Sequence, residues 1–241
     1  MSLRLHRISQ AQCAVTLSTG AQVDPREGTV LHVPGGHLSL EPQRESESLR
    51  MPVQKRNFTR AESTTIRRIF ASDLKHVISD LVDVFTDTVN GGSQLGFLPP
   101  ITRDEARDYW ISLFPELATG SRLVFVAFNG DRVVGSGQLA LSQRTNSPHR
   151  AEVQRLFVAR GFRGQGVGKL LMYALHDTAR EHGRSLISLS TRRGEPAEEF
   201  YKRLGYVEAG VIPGWTIGPA GERYDHVTLY QELGRFQHSG W

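Results

Sequence analysis

The chain has 241 residues, 39% of them hydrophobic and 22% charged, the balance of a soluble globular protein with one large domain, or one domain and an appendage. No stretch reaches the roughly 18 consecutive apolar residues of a membrane-spanning helix, and the opening residues lack the long apolar centre of a secretory signal. One cysteine, Cys13, cannot form an internal disulfide, so a reducing, cytoplasmic setting is the expectation.

The pI near 9.4 invites a nucleic-acid reading, which the placement of charge opposes. Residues 1–60 carry eight Lys+Arg against five Asp+Glu, and the remainder of the chain is close to neutral. Its arginines are scattered, without the basic stripe or clustered aromatics of a nucleic-acid surface. Residues 1–60 also have few periodic apolar runs and include the polar tract EPQRESESLR, so they read as a disordered or loosely ordered extension, with a partner-binding arm as the alternative. Met51 opens a shorter chain that keeps all the periodic segments, and a translation start there is an expectation. Residues 61–235 read as one domain and 236–241 as a short tail.

Within that domain Thr64–Phe70 suits a strand. Leu74, Val77, Ile78, Leu81 and Phe85 then follow the spacing of a helix with one buried face, which stops near Asn90-Gly91-Gly92. Thr102 with Glu105 three residues on is a capping box, opening a helix that turns Ala106, Tyr109, Trp110 and Leu113 inward. Arg122–Phe128 and Arg132–Ser142 form a hairpin through Asn129-Gly130-Asp131. Ala151–Val158 is a third strand, Val167–His182 an amphipathic helix closed by Gly183, and Leu186–Ser190 a strand. Pro196–Leu204 makes a short helix with Pro in its first turn, and Tyr206–Val211 and Asp225–Glu232 are the last strands. The fold class is α/β: a mixed sheet of about seven strands flanked by helices.

The turn Arg163-Gly164-Gln165-Gly166-Val167-Gly168-Lys169 lies between a strand and a helix, where unpaired backbone amides and the helix dipole favour an anion. A P-loop needs glycine at 163 and Ser or Thr at 170, where this chain has Arg and Leu. A dinucleotide fingerprint needs G-x-G-x-x-G, and the spacing here is G-x-G-x-G after an antiparallel hairpin. The pattern that does fit is Arg-x-x-Gly-x-Gly, read at Arg163, Gly166 and Gly168. The nine histidines show no metal spacing, and no metal site is expected.

With the strand Glu152–Val158, the segment Ala197-Glu198-Glu199-Phe200-Tyr201 and the following Leu204-Gly205-Tyr206, the sequence resembles the GNAT superfamily of acyl-CoA-dependent N-acetyltransferases over about residues 62–232. Thr88–Gly92 with Gly96-Phe97, His149–Gln154 and Gly210–Gly214 are similar to the tabtoxin-resistance-like members. The resemblance implies a mostly antiparallel GNAT-type sheet and acetyl-CoA as cosubstrate. It puts the pyrophosphate on the amides of Arg163, Gly164, Gln165, Gly166, Val167, Gly168 and Lys169, and the pantetheine arm along Leu156, Phe157 and Val158. The partner it implies is a small-molecule amine, acetylated directly in a ternary complex, and members often pair as homodimers. A peptide acetyltransferase and a non-catalytic acyl-CoA sensor are the alternatives.

The resemblance gives Tyr201 as general acid and Glu152, eleven residues before Arg163, as the base. By the two-residue period of a strand Glu152, Gln154 and Leu156 share one face. On the residues alone Tyr201 also reads as a half-buried anchor, and Glu152 as a strand-edge group paired with Arg150 or Arg155. Tabtoxin-resistance-like proteins carry an aspartate where this chain has Ser190, which shifts weight to Glu152 or a water chain. Gly194 stands where many members carry asparagine. The acceptor pocket is expected from the loop Asn90–Pro100, with Gly91, Gly92 and Phe97, from Ser190, and from a late loop holding Trp215.

Overall fold

The computed structural model describes residues 64–234 and, before them, only five short strands. Those strands, β1 (Leu5–Ile8), β2 (Gln12–Thr16), β3 (Gln22–Val23), β4 (Leu31–Val33) and β5 (Gly36–Leu38), make a three-stranded and a two-stranded antiparallel sheet within a separate unit, Met1–Pro52. The other expectations for residues 1–63 and for the tail lie outside the described residues.

The second unit is built on a seven-stranded sheet, in the order β11-β12-β10-β9-β8-β7-β6. Its elements are β6 (Thr64–Ile69), α1 (Leu74–Asn90), α2 (Arg103–Ser112), α3 (Phe114–Thr119), β7 (Arg122–Asn129), β8 (Arg132–Leu141), β9 (Arg150–Val158), α4 (Val167–Glu181), β10 (Leu186–Arg192), α5 (Pro196–Arg203), β11 (Val207–Ile217) and β12 (Arg223–Glu232). Every neighbouring pair is antiparallel except β9 and β10. The mixed, mostly antiparallel sheet expected from the sequence is the one observed.

Two apolar layers sandwich this sheet. On one face α4 and α5 cover Leu139, Leu141, Ala151, Val153, Ile187 and Leu189. On the other, Leu81, Phe85 and Val89 of α1 and Trp110 of α2 pack on Val124, Val126 and Phe157. The capping box forms: Thr102 Oγ1 accepts from the Glu105 amide and Glu105 Oε2 accepts from the Thr102 amide.

Three elements differ from the sequence reading. Helix α3 was not expected; six residues are too few for a periodic stripe, and Pro115 at its start and left-handed Gly120 (φ 70°) at its end delimit it. Strand β10 runs on to Arg192 through its pairing with β12. Strand β11 continues through Pro213 and Gly214 to Ile217, so Trp215 sits on a strand and not on a loop. Register shifts between Glu208 and Gly210 and between Ile212 and Thr216 accommodate a proline, which a sheet edge tolerates because its N–H side needs no partner.

The loop after α1 is tied down by one side chain. Asn90 Oδ1 accepts from the Ile101 amide (2.8 Å) and Asn90 Nδ2 donates to the Ile101 carbonyl (3.1 Å), closing the segment between them as a backbone ladder would. Asn90→Ala should lower stability by roughly 1 kcal/mol, read in urea unfolding as a lower midpoint at unchanged slope.

Candidate active site

The site begins where a hydrogen-bond ladder stops. Strands β9 and β10 pair only at Leu186 with Arg150, Ile187 with Ala151 and Ser188 with Glu152, although β9 continues to Val158 and β10 to Arg192. Beyond Glu152 and Ser188 the two strands part, leaving a slot in the sheet. Peptide groups of β9 along this slot have lost their ladder partners on one side, and buried backbone groups require replacements.

A bulge in β9 accompanies the parting. Ser136 faces Phe157 while Gln138 faces Gln154, so β9 holds one residue more than β8 over this interval, and Arg155 takes a left-handed φ of 50°. A bulge bends its strand and re-aims side chains. Alternation is therefore broken: Val153 and Leu156 both pack on the α4 side, and Phe157 packs on the α1 side. The single-face expectation for Glu152, Gln154 and Leu156 is corrected accordingly. Glu152 and Gln154 lie opposite the α4 core, and Leu156 lies with it.

At the far end of β9 the glycine turn leads into α4. Gly164 and Gly166 have φ of 73° and 86°, and a Cβ on either would meet no atom within 4 Å, so open space lies over the turn. Arg163 braces the turn from below, its Nε donating to the Val158 carbonyl (3.0 Å) and its Nη2 to Ser93 Oγ (3.2 Å). Gln165 Nε2 donates to the Gly161 carbonyl. The Leu170 amide is the first to reach back into the turn, to Gly166, which leaves Val167, Gly168 and Lys169 in the amide-rich first turn. These residues fit a pyrophosphate: an open concavity, backbone donors and a helix dipole.

Helix α5 is held against this turn. A Cβ on Gly168 would lie 3.4 Å from the Phe200 ring and 3.8 Å from Val158 Cγ2, so Phe200 bridges α4 and the end of β9. The next residue, Tyr201, is buried between Phe200 and Tyr206, at ring separations of 5.3 and 5.9 Å. Burial pushes its phenol well above the usual value, which keeps it protonated. Behind it the Tyr206 hydroxyl and His176 Nε2 share a hydrogen bond of 2.8 Å. Tyr206 is likewise raised, chiefly by burial and secondarily by Tyr201. Glu198 accepts from Lys202 Nζ (2.6 Å) and from the Gly194 amide (2.8 Å), so Gly194 serves the turn before α5. The Lys202 and Gly194 bonds hold the Glu198 carboxyl below its ordinary pKa.

Glu152 is exposed on the opposite face. It lines a cavity of about 250 Å³ with Ser142, Arg144, Ser147, Arg150 and Ser188, and among the described residues it forms no ion pair with Arg150 or Arg155. Ser190 shares this face, since Ile187 and Leu189 point into the α4 core, and stands where β10 has left β9. Tyr201 and Glu152 thus lie on opposite sides of the sheet.

The two stretches expected to wall the acceptor side do meet, through Thr216 Oγ1 and Gln94 Oε1 (3.3 Å). Phe97 is half-buried, edge-on to Phe85 and Tyr109 at 5.4 Å each. Gly91 lies against the Arg160 guanidinium, while Gly92 (φ 93°) and Trp215, 60% exposed, are open. Sequence reasoning missed Arg155, whose left-handed backbone carries no glycine signal. It also missed a polar chain on the Glu152 face. Tyr109 hydrogen-bonds the buried Gln138, and Arg122 Nη1 donates to Gln138 Oε1 (3.1 Å) and Gln154 Oε1 (2.6 Å) while its Nε pairs with Glu116 (2.9 Å).

Residues 94–206, which span this slot, the turn and α5, match the acetyltransferase (GNAT) family. An uncharacterised N-acetyltransferase of Azospirillum brasilense is 30% identical over 117 residues, covering 48% of this chain and 68% of that protein. Another, of Methanocaldococcus jannaschii, is 39% identical over 66 residues, 27% of this chain and only 29% of that protein. A candidate acetyltransferase of Salmonella typhimurium, solved with its cofactor acetyl-CoA, superposes with a TM-score of 0.55 at 16% identity, covering 74% of this chain and 97% of that one. The chain belongs to the GNAT acetyltransferase family. The family's cosubstrate is acetyl-CoA. Among the described residues no helix is long and apolar enough to cross a membrane.

The buried pair behind α5 sets a pH signature. Burial, then Arg180, lowers His176 from 6.5 to about 4, so between those values the unfolded chain binds the extra proton. The stability this neutral imidazole confers is fully present above about pH 6.5 and is lost as pH falls through about 4. Thermal unfolding midpoints should drop over this window in the natural chain, and His176→Gln should flatten that part of the dependence.

Proposed function

We propose that this chain transfers the acetyl group of acetyl-CoA to the primary amine of a small molecule, by direct attack in a ternary complex. The observation that carries the reading is the slot between β9 and β10. It starts near the amide-rich turn at 163–169 and runs beside unpaired peptide groups of β9, with Tyr201 and Glu152 on opposite sides of the sheet. Acetyl-CoA supplies an activated thioester; the amides of the turn would hold its pyrophosphate, and those of Leu156, Phe157 and Val158 would pair with its arm.

An alkyl ammonium has a pKa of about 10.4 and cannot attack until it loses a proton. Glu152, exposed on the acceptor face, takes that proton, directly or through water. The nitrogen then bonds to the carbonyl carbon as the carbon–sulfur bond breaks. Tyr201, kept neutral by burial, donates its proton to the departing sulfur and regains one, through solvent, as the acetylated nitrogen sheds its remaining extra proton. Backbone amides of β9 beside the bulge stabilise charge on the carbonyl oxygen. Direct attack fits a chain whose single cysteine, Cys13, lies in the first 60 residues. Gly91, Gly92, Phe97, Ser190 and Trp215 would border the acceptor. A cytoplasmic setting and pairing of two copies accompany the reading, the latter supported by exposed Val207, Ile212, Trp215 and Ile217 on edge strand β11.

Release of thiol from acetyl-CoA over a panel of amino acids, polyamines, aminoglycosides and peptides tests the reading. Turnover on small amines is expected; turnover on peptides alone, or binding without turnover, would refute it. With an acceptor in hand, Tyr201→Phe should lower kcat by roughly 100-fold or more with little change in acetyl-CoA affinity. Glu152→Gln should lower kcat/KM by a similar factor at neutral pH.

A further inference from the structure

On the acceptor face the protein treats two part-buried guanidinium groups in opposite ways. Arg122 is fully engaged, with Glu116, Gln138 and Gln154 as acceptors. Arg155, at the bulge, has the neutral Tyr109 side chain as its hydrogen-bonding neighbour. Its Nε is buried with no hydrogen-bond partner, and among the described residues no carboxylate pairs with it. Its guanidinium lies 5.5 Å from the Tyr109 ring centroid and 5.9 Å from that of Phe97. Ring faces attract a cation and the Tyr109 side chain hydrogen-bonds it, but neither a ring face nor a neutral phenol neutralises the charge.

The backbone makes this arrangement costly. Arg155 is the one non-glycine residue with positive φ among those described, a conformation that an L side chain other than Asn or Asp adopts rarely. Strain of this kind persists where the surroundings impose it and clusters at ligand sites. The bulge turns Arg155 toward the α1 and α2 side, which Glu152 and Gln154 also face. Gly96 completes the enclosure: a Cβ there would come within 2.7 Å of Nη2 and 2.8 Å of Nη1. The loop proposed to border the acceptor therefore rests directly on the guanidinium, and any side chain at position 96 would collide with it.

We propose that Arg155 is the anion-binding residue of the acceptor site and that the amine substrate carries a carboxylate. The guanidinium holds this group in its planar fork, a geometry suited to two parallel N–H···O bonds, while the amine is presented to Glu152. Three residues along a strand span roughly 10 Å between backbones, and both side chains are long enough to close most of that distance. The acceptor class is thus a free amino acid or another small amino-carboxylate. This deepens, and rests on, the reading of the slot as an amine acetylation site.

Matched acceptor pairs test it, each an amino acid and its carboxamide. The natural protein should use the carboxylate member at least 10-fold better in kcat/KM. Arg155→Gln should abolish that preference, raising KM for the carboxylate member far more than for the carboxamide. Arg155→Lys, which keeps charge and loses the fork, should retain an intermediate preference, and the melting temperature of each variant reports whether it folds. Equal use of both members by the natural protein overturns the assignment, as does an equal loss on both in Arg155→Gln, the mark of a structural role. A preference that survives Arg155→Gln also overturns it, placing the anion at Arg144 or Arg150 of the cavity instead. Turnover on neither member, with acetyl-CoA bound, sinks the transferase reading on that panel. In that case calorimetry of the same amino acids with the CoA complex still decides Arg155: binding lost in Arg155→Gln supports the anion site, and no binding to the natural protein rejects it.

Discussion

The candidate site depends on the failure of β9 and β10 to stay paired. Their parallel ladder holds for three residue pairs and then opens. A continuous ladder would fill the sheet and leave no path through it, because hydrogen-bonded strands lie only about 4.8 Å apart. The opening is made tolerable by support from other sides. Strand β8 stays bonded to β9 beyond the bulge, and β12 stays bonded to β10 along its whole length. Each half of the sheet therefore keeps its own ladder, and the strands part only at the seam between them.

The bulge at Arg155 couples this seam to both faces. One extra residue reverses the alternation of β9, so Leu156 and Val158 join the α4 core while Phe157 joins the α1 core. The same step sends Arg155 to the side where Glu152 and Gln154 already stand. Glu152 and Tyr201, the proton acceptor and donor of the proposed reaction, end on opposite faces of the sheet. Polar satisfaction is handled differently on each side. The α4 face buries a shared His176–Tyr206 hydrogen bond, which fixes the surroundings of Tyr201. The opposite face pairs Arg122 with Glu116 and leaves Arg155, among the described residues, without a carboxylate.

Much of this was legible in the amino-acid order. The hairpin at Asn129–Asp131, the capping box at Thr102 and Glu105, and the glycine turn ahead of Val167 all have local causes: a turn conformation, an orphan amide or a backbone that needs positive φ. Local signals of this sort place elements and mark the anion-binding turn without knowledge of the rest of the chain. Helix α3 and the extension of β11 past Pro213 escaped because their support is tertiary, the core contact of Leu117 in one case and pairing with β12 in the other.

The sequence by itself determined the order of elements and the amide-rich turn, since each depends on residue type and spacing within a short segment, while the family resemblance pointed to Tyr201 and Glu152 as the groups to watch. Only the tertiary structure decided which face each group occupies, because a single inserted residue inverts the two-residue period and bears no mark in composition. It also decided that Arg155 stands without a carboxylate, which is a statement about neighbours distant in the chain. A guanidinium's sequence says that it is charged; its surroundings alone say whether that charge is already answered.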